Sequence, residues 1–400
     1  MERLPYGALY LHVPFCAQRC GYCAFATEAA RPDDPRLDAY VEGLVHDIRA
    51  AAHERLLGRV ETLYIGGGTP SFLGPRRLVS LVYALSLSVP LGPDTEFTLE
   101  ANPESLAPTL VRDLYALGVN RFSLGAQSLV DEELRALGRR HTAADTRRAL
   151  AAALERTGNV SLDLMCGIPL QDRGSWKASL DEACASGVPH VSVYPLSIED
   201  GTPFARAVAA GRQEGPDEDG QAQMMLDANE LLEAAGLARY EVASFARPGL
   251  ECRHNIAYWT GVPYLGLGRG AAGMREDPRT GERQRLLDGR VVERLDPAQA
   301  ALEDVMLGMR MCRGVPAGLL QRAVGHNPRL AAAFAEMEGL GLVESDGRRY
   351  RPTSRGWLLG NEVYRRIWDA AEDGAVRGPA QQVPEGAPVR APARRTAGDP

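Results

Sequence analysis

Three cysteines near the amino end of the chain are the residues best suited to chemistry. Cys16, Cys20 and Cys23 lie within eight residues, directly after an apolar, strand-like run at 8–13. Three thiols cannot all pair as disulfides, whereas clustered thiolates bind zinc or an iron–sulfur cluster. Either centre usually takes four protein ligands, and the position two residues after Cys23 is Phe25. The spacing therefore predicts an inorganic centre with one metal position left for a ligand that is not protein. Two alternatives stay open, a zinc site completed by the histidine at position 12 and three unrelated thiols.

The elements that must position these thiols alternate between strands and helices. Strand-like runs are predicted near 8–13, 61–66, 95–100, 120–124, 160–165 and 190–196. Amphipathic helical stretches are predicted between them, near 36–56, 75–88, 107–117, 131–137, 142–157 and 174–187. This alternation is typical of a parallel sheet with right-handed crossovers. Six such units indicate an α/β fold, a partial (β/α)6 barrel, with an open doubly wound sheet as the alternative.

Glycine, proline or polar residues follow each of the six predicted strands at once. They include the cysteine loop, the Gly-Gly-Gly-Thr-Pro run at 66–70, and further turns that begin near 100, 125, 166 and 194. In a parallel sheet these turns all lie at the carboxyl ends of the strands. Because barrels place their active sites at that rim, this arrangement favours the barrel over the open sheet.

The cysteine loop and its surroundings resemble the radical S-adenosylmethionine (SAM) superfamily. In that superfamily, three cysteines spaced Cys-x3-Cys-x2-Cys hold a [4Fe-4S] cluster, and the free iron binds SAM. The run from Tyr10 to Cys16, Tyr-Leu-His-Val-Pro-Phe-Cys, narrows the resemblance to one branch. That branch contains oxygen-independent coproporphyrinogen III dehydrogenases and the HemW heme chaperones. The resemblance covers roughly residues 5–370 and implies that Cys16, Cys20 and Cys23 are the metal ligands.

The same resemblance implies a set of SAM-contacting residues. They are Tyr10, Gly67, Gly68, Thr69, Glu100, Gln127, Arg139 and Asp163. Their chemistry is suitable, because glycines admit a close ligand, carboxylates accept from hydroxyl or ammonium groups, and arginine can clamp a carboxylate. Three alternatives stay open: a strand–helix turn without a ligand at the glycines, salt bridges inside the barrel for the two carboxylates, and Arg140 in place of Arg139.

A second motif lies further along the chain, at His254-Asn255-x-x-Tyr258-Trp259. It resembles a motif that is associated with heme binding in HemW proteins. If the segment is helical, His254 and Tyr258 share a face, and Trp259 offers a broad apolar surface to a porphyrin. Imidazole is a common ligand of heme iron, so His254 is the candidate heme-binding residue. The alternative is a structural histidine beside packed aromatic rings.

Two functions from different classes are consistent with these motifs. Dehydrogenases of the branch carry a fourth cysteine and an extension before the loop, whereas this chain has Phe25 and only fifteen residues before Cys16. Both departures favour a heme chaperone that passes heme to an acceptor hemoprotein. The alternative is an oxygen-independent coproporphyrinogen III dehydrogenase, so whether the chain is an enzyme stays open. The expected cofactors are a [4Fe-4S] cluster, SAM and heme, and a reductant for the cluster is an expected partner.

Composition limits the remaining partners and the location. The net charge of −7 and a pI near 5.7 argue against binding to nucleic acid. No run of about 18 apolar residues predicts a membrane span, and no signal segment is recognisable at the amino end. Three clustered cysteines and four scattered ones fit a reducing compartment. We therefore expect a cytoplasmic protein without a membrane span, for which a homodimer stays open.

Changes in composition and in predicted secondary structure along the chain predict four parts. They are a radical SAM partial barrel at 5–215, a small α/β extension carrying the heme motif at 216–296, a C-terminal helical, winged-helix-like domain at 297–372 and a disordered tail at 373–400. Within the extension, the charged run at 275–294 is expected to form an exposed hairpin or insertion.

Overall fold

A computed structural model describes residues 6–370, so the predicted tail lies outside the described residues. The strands, in chain order, are β1 (Tyr6–Val13), β2 (Phe15–Cys16), β3 (Glu28–Ala29), β4 (Leu57–Gly67), β5 (Leu91–Ala101), β6 (Arg121–Gln127), β7 (Val160–Cys166), β8 (His190–Pro195), β9 (Ala238–Arg239), β10 (Ser244–Ala246), β11 (Tyr264–Leu267), β12 (Ala272–Glu276), β13 (Arg283–Leu287), β14 (Arg290–Leu295), β15 (Val315–Pro316), β16 (Val343–Ser345) and β17 (Arg349–Pro352).

Helices connect and cover these strands. They are α1 (Pro35–His53), α2 (Gly74–Ser88), α3 (Pro108–Ala116), α4 (Asp131–Ala136), α5 (Ala143–Leu154), α6 (Arg173–Ala185), α7 (Pro203–Ala209), α8 (Glu218–Ala234), α9 (Arg253–Trp259), α10 (Pro297–Gly308), α11 (Ala317–His326), α12 (Arg329–Gly339), α13 (Ser354–Leu358) and α14 (Gly360–Asp369). Two 3₁₀ turns lie at Pro70–Leu73 and Pro103–Ser105. None of the helices within residues 6–370 has both the length and the apolar composition needed to cross a membrane.

Six strands form the parallel core of one 12-stranded sheet, in the order β1-β4-β5-β6-β7-β8. All five neighbouring pairs in this run are parallel, and neighbours in the sheet follow one another along the chain. This is the predicted partial (β/α)6 barrel. Further strands lengthen the sheet at both ends, since β11 joins β1 in parallel and β10 joins β8 antiparallel.

The two faces of the parallel strands differ sharply in polarity. The outer face, for example Leu63, Phe97 and Leu162, is fully buried in one large hydrophobic cluster with the covering helices. The inner face is polar and consists of Tyr10, His12, Thr62, Tyr64, Glu96, Thr98, Glu100, Arg121, Ser123, Ser161, Asp163, His190 and Ser192. Alternation with a period of two puts apolar side chains under helices and polar ones inside the barrel.

The predicted α/β extension is hydrogen-bonded into this same sheet. Strands β11, β12, β13 and β14 continue it beyond β1, and β13 and β14 form the hairpin that the charged run predicts. The expectation that this hairpin is exposed is wrong for Arg283 and Gln284, which are buried. For Arg283 the physical cause is helix α10, which supplies two acidic partners to its guanidinium.

Residues after 296 form a second, separate hydrophobic cluster. Helices α10, α11, α12 and α14 surround it, and β15, β17 and β16 form a small antiparallel sheet beside it. Helices, a small hairpin and a further helix follow one another here, an order typical of the predicted winged-helix-like part. The bounds of the four predicted parts stay a prediction.

An ion cluster around the buried Arg283 joins this C-terminal part to the sheet. The Arg283 guanidinium, 2% exposed, lies 2.7 Å from the Glu276 carboxylate and 2.8 Å from those of Glu303 and Asp304. Arg285 pairs with Glu303 as well. Of its three carboxylate partners only Glu303 is buried, at 7% exposure, and removing one member of a buried pair costs more than the pair contributes.

We therefore predict that Arg283→Met, which keeps much of the side-chain volume, lowers the free energy of unfolding by about 3 kcal/mol. Urea unfolding followed by circular dichroism measures this change. Arg365→Met in α14 is the matched control, because Arg365 also pairs with two carboxylates but its side chain is 56% exposed. Exposed pairs contribute little. Equal losses in the two variants would contradict the prediction.

Candidate metal and cofactor site

The cysteine loop leaves the carboxyl end of β1 and closes on itself. Strand β2 pairs in parallel with β3 at the two ends of the loop. The backbone N–H of Glu28 donates to the Pro14 carbonyl at 2.7 Å, and that of Ala30 donates to the Cys16 carbonyl at 2.9 Å. The three thiols therefore lie in a loop whose ends are held together by the backbone.

All three thiols are reduced and partly exposed. Burial raises the pKa of Cys16 to about 11 and also raises that of Cys23. Two donors reach the sulfurs: Thr69 Oγ1 lies 3.4 Å from Cys16 Sγ, and Arg139 Nη1 lies 3.6 Å from Cys20 Sγ. Donors directed at sulfur stabilise thiolates bound to iron, so this surrounding fits an iron–sulfur cluster.

His12, the fourth ligand of the alternative zinc site, is engaged elsewhere. Its Nδ1 lies 2.8 Å from Tyr10 Oη, and its Nε2 donates to the Ala26 carbonyl at 3.1 Å. The Nε2 bond thus fastens the end of the cysteine loop to β1, while the Nδ1 bond lies within that strand. Within residues 6–370, no three His, Cys, Asp or Glu side chains converge on a point where one metal ion could bind.

The triple-glycine run lies directly on the cysteine loop. The Gly68 N–H donates to the Val13 carbonyl and the Thr69 N–H to the Phe15 carbonyl, both at 2.8 Å. A Cβ on Gly67 would lie 2.7 Å from the His12 ring, and one on Gly68 would lie 2.7 Å from the Phe15 carbonyl. Gly67 also has a φ of +115°, which favours glycine. Contact with the loop therefore requires glycine at both positions.

Two partly buried carboxylates lie on the inner face beside this contact. Glu100 accepts from Tyr64 Oη at 2.6 Å and from the Gly67 N–H at 3.0 Å. Burial raises the pKa of Glu100 to about 7, and it also raises that of Asp163, which accepts from Ser123 Oγ at 3.2 Å. Among residues 6–370 neither carboxylate forms an ion pair, so the alternative of internal salt bridges is not what the structure contains.

Arg139 and Arg140 differ in where their side chains lie. Arg139 is partly buried, and its Nη2 donates to Asn102 Oδ1 at 2.7 Å and to the Gly125 carbonyl at 2.8 Å. Arg140 is exposed. Asn102, which the sequence motifs did not single out, also donates to Thr69 Oγ1 at 3.3 Å. Its position two residues after Glu100, in the same strand-end loop, was the available signal.

Gln127 and Tyr10 complete the predicted set. Gln127 ends β6 with a φ of +68°, and its side-chain amide makes no hydrogen bond within the part of the chain described. Non-glycine residues in this region are strained and cluster at ligand sites. Tyr10 lies on β1 with its hydroxyl bonded to His12. The structure thus brings the predicted SAM residues to the carboxyl ends and inner face of neighbouring strands.

His254 lies apart from this rim, fully buried on α9. Its Nδ1 lies 2.8 Å from Thr62 Oγ1 and its Nε2 lies 2.8 Å from Tyr258 Oη. Burial lowers the pKa of His254 to about 3, so the ring is neutral. Either hydrogen bond must open before a ring nitrogen can bind iron. This geometry is the one expected for the alternative of a structural histidine.

Two family models match the chain. The radical SAM superfamily model matches residues 10–183, and the HemN C-terminal domain model matches residues 295–359. The second match covers most of the separate C-terminal cluster. The radical SAM match ends within α6, before strand β8, the last of the six parallel strands.

Similar proteins extend over nearly the whole chain. Heme chaperone HemW of Mycobacterium tuberculosis (strain ATCC 25618 / H37Rv) is 38% identical over 385 residues, 92% of this chain and 96% of that protein. Radical S-adenosyl methionine domain-containing protein 1, mitochondrial, of Bos taurus is 39% identical over 78% of this chain and 70% of its own. The solved structure of coproporphyrinogen III oxidase (HemN) from Escherichia coli has a TM-score of 0.75 and 20% identity, covering 91% of this chain and 90% of that one, which shows a shared fold. The chain therefore belongs to the radical SAM superfamily, in the branch formed by relatives named HemW.

Proposed function

We propose that Cys16, Cys20 and Cys23 hold a [4Fe-4S] cluster whose open iron binds SAM. Family membership implies both groups, and the donors at Cys16 and Cys20 support the assignment. When bound, the reduced cluster supplies an electron to SAM. The chain's own part is to hold the three thiolates apart and to place hydrogen-bond donors at two of the sulfurs.

The remaining rim residues would bind and orient SAM. Gly67, Gly68 and Thr69 offer backbone close to the cysteine loop, and Glu100 and Asp163 present carboxylate oxygens from the neighbouring inner face. The Gln127 amide has no partner within residues 6–370 and would gain one from the ligand. Arg139 and Tyr10 brace the surroundings of Cys20 and His12.

We propose that the protein is a heme chaperone that binds heme and transfers it to an acceptor hemoprotein. The observation that carries this proposal is similarity along nearly the full chain to relatives named heme chaperone HemW. Phe25 supports it, because it stands where dehydrogenases of the branch have a fourth cysteine. The heme proposal does not depend on His254. A cytoplasmic location and the formation of a homodimer stay predictions.

The experiment that tests this function uses cluster-reconstituted protein under anaerobic conditions. We predict that the protein shifts the hemin Soret band and transfers the heme to an apo b-type cytochrome faster than hemin-loaded albumin does. With reductant, SAM and coproporphyrinogen III, we expect no sustained formation of protoporphyrinogen IX. The Soret band and product chromatography provide the two measurements.

Cysteine variants make this test specific. Cys20→Ala should lose iron and sulfide to background, because one of three ligands is gone. Cys184→Ala, a partly buried thiol in α6, should keep them. Sustained, cluster-dependent formation of both protoporphyrinogen IX and 5′-deoxyadenosine would replace the chaperone proposal with the dehydrogenase.

Neighbouring arginines give a matched pair of variants. We predict that Arg139→Gln weakens SAM binding about tenfold or more, the usual effect of losing hydrogen bonds from a charged group. It should also make the cluster potential more negative, because a positive donor beside Cys20 favours the reduced cluster. Equilibrium dialysis with labelled SAM and redox titration followed by EPR measure the two effects. Arg140→Gln should change neither, and equal effects in both variants would refute the assignment.

Glu100 predicts a pH dependence of SAM binding. Burial raises its pKa to about 7, and protonation removes the negative charge and turns one carboxylate oxygen into an O–H donor. Affinity should therefore fall as the pH falls through 7, with the dissociation constant rising about tenfold from pH 8 to pH 6. The same titration on Glu100→Gln should be flat over this range. If the variant kept the wild-type slope, another group would be responsible.

A further inference from the structure

Helix α9 touches the inner face of the sheet through His254. The His254 ring stacks on Tyr64 with ring centroids 5.1 Å apart and planes 26° from parallel. Tyr64 in turn donates its hydroxyl hydrogen to Glu100 at 2.6 Å. The motif on α9 is therefore two contacts away from a carboxylate in the candidate SAM site.

The His254 ring is fixed by bonds that leave it little freedom. The Nδ1 atom is hydrogen-bonded to Thr62 on β4, the strand that also carries Tyr64. The Nε2 atom is hydrogen-bonded to Tyr258, one turn further along α9. The backbone is fixed too, because the buried Glu96 carboxylate accepts the N–H groups of Arg253 at 2.9 Å and His254 at 3.0 Å. The ring is thus a rigid support for whatever packs against it.

Tyr64 packs between the His254 ring and the Tyr10 ring, whose centroid lies 6.2 Å from its own, and its hydroxyl points to Glu100. It is only partly buried, and among residues 6–370 its hydroxyl bonds to Glu100 alone. Glu100 has one other fixed partner, the Gly67 N–H in the glycine run that lies on the cysteine loop. Tilting of the Tyr64 ring would therefore release one of the two bonds that hold the carboxylate.

We propose that His254 is a positioning residue for the SAM site, holding Tyr64 so that its hydroxyl sets the direction of the Glu100 carboxylate. This inference deepens the proposed function, because it assumes that Glu100 contacts SAM. It gives the His-Asn-x-x-Tyr-Trp segment a role that needs no exposed ring nitrogen. The contacts that carry it are the ring stack and the single hydrogen bond from Tyr64.

Two readouts on cluster-reconstituted protein test the proposal. The first is the SAM dissociation constant from equilibrium dialysis, and the second is amide exchange of the peptide spanning residues 64–70 without SAM, which contains the Gly67 N–H. We expect His254→Ala and Tyr64→Phe each to weaken SAM binding about tenfold, as loss of a hydrogen bond to a charged group does. The double variant should be no weaker than Tyr64→Phe alone, because both changes remove the same bond. His254→Phe, which keeps a ring on Tyr64, should recover much of the affinity.

Exchange at 64–70 should be faster in His254→Ala than in wild type. The matched control is Trp176→Phe, which removes a fully buried hydrogen bond, 2.8 Å to the Met224 carbonyl, in the outer helix layer. It should leave SAM affinity and this exchange unchanged, which separates positioning from a general loss of stability.

Several outcomes would overturn the proposal. Additive effects of His254→Ala and Tyr64→Phe would show independent roles, and a wild-type SAM affinity in His254→Ala would remove the coupling. If His254→Ala abolished the hemin Soret shift while SAM affinity and exchange stayed normal, His254 would be a heme ligand instead. Wild-type protein that failed to bind SAM would refute the proposed cofactor site, whereas the exchange data would still decide whether His254 supports Glu100.

Discussion

The close contact between the glycine run and the cysteine loop is the constraint on which the site depends. Backbone hydrogen bonds of 2.8 Å join Gly68 to Val13 and Thr69 to Phe15, and no side chain fits between the two segments. The contact places Thr69 Oγ1 at one cysteine sulfur and the Gly67 N–H at Glu100. One steric requirement therefore sets the relation between the metal ligands and the ligand-binding strands. Strand order delivers this contact, because β1 and β4 are neighbours in the sheet.

A polar inner face is the second feature that shapes the molecule. Barrels commonly fill their interior with branched apolar side chains, whereas here the interior carries carboxylates, tyrosines, serines and histidines. Buried polar groups are costly unless they are hydrogen-bonded. Many are paired: His190, for example, lies 2.8 Å from Ser161 Oγ and 2.9 Å from Tyr240 Oη. Helix α9 supplies further partners, so its motif contributes to folding whatever else it binds.

The sequence predicted the parallel units well because their signals are local and repeated. Apolar runs followed by glycine, proline or cysteine predict strands and rim loops from neighbouring residues alone, and the resemblance named the rim residues.

The sequence could not distinguish Arg139 from Arg140, because the directions of two adjacent side chains are set only when the loop has folded. The surroundings of His254 were equally hidden. A His-x3-Tyr spacing predicts the bond to Tyr258, but Thr62 and Tyr64 lie about 190 residues away in the chain. Likewise, the many charged residues of the β13–β14 hairpin suggested that it is exposed. The ion pairs between Arg283 and the acidic residues of α10 are tertiary contacts, which a charge pattern does not reveal.

The C-terminal part contacts both ends of the sheet in the part of the chain that the structure describes. A sheet that does not close leaves strand edges, and exposed edges are prone to unwanted pairing. Helix α10 packs on one extension of the sheet through Arg283. Just beyond its end, Met311 pairs with Glu241, and the Cys312 N–H donates to the Tyr240 carbonyl at 3.0 Å, both beside the short strand β9 at the opposite edge. The segment from α10 to Cys312 thus spans from one end of the sheet to the other.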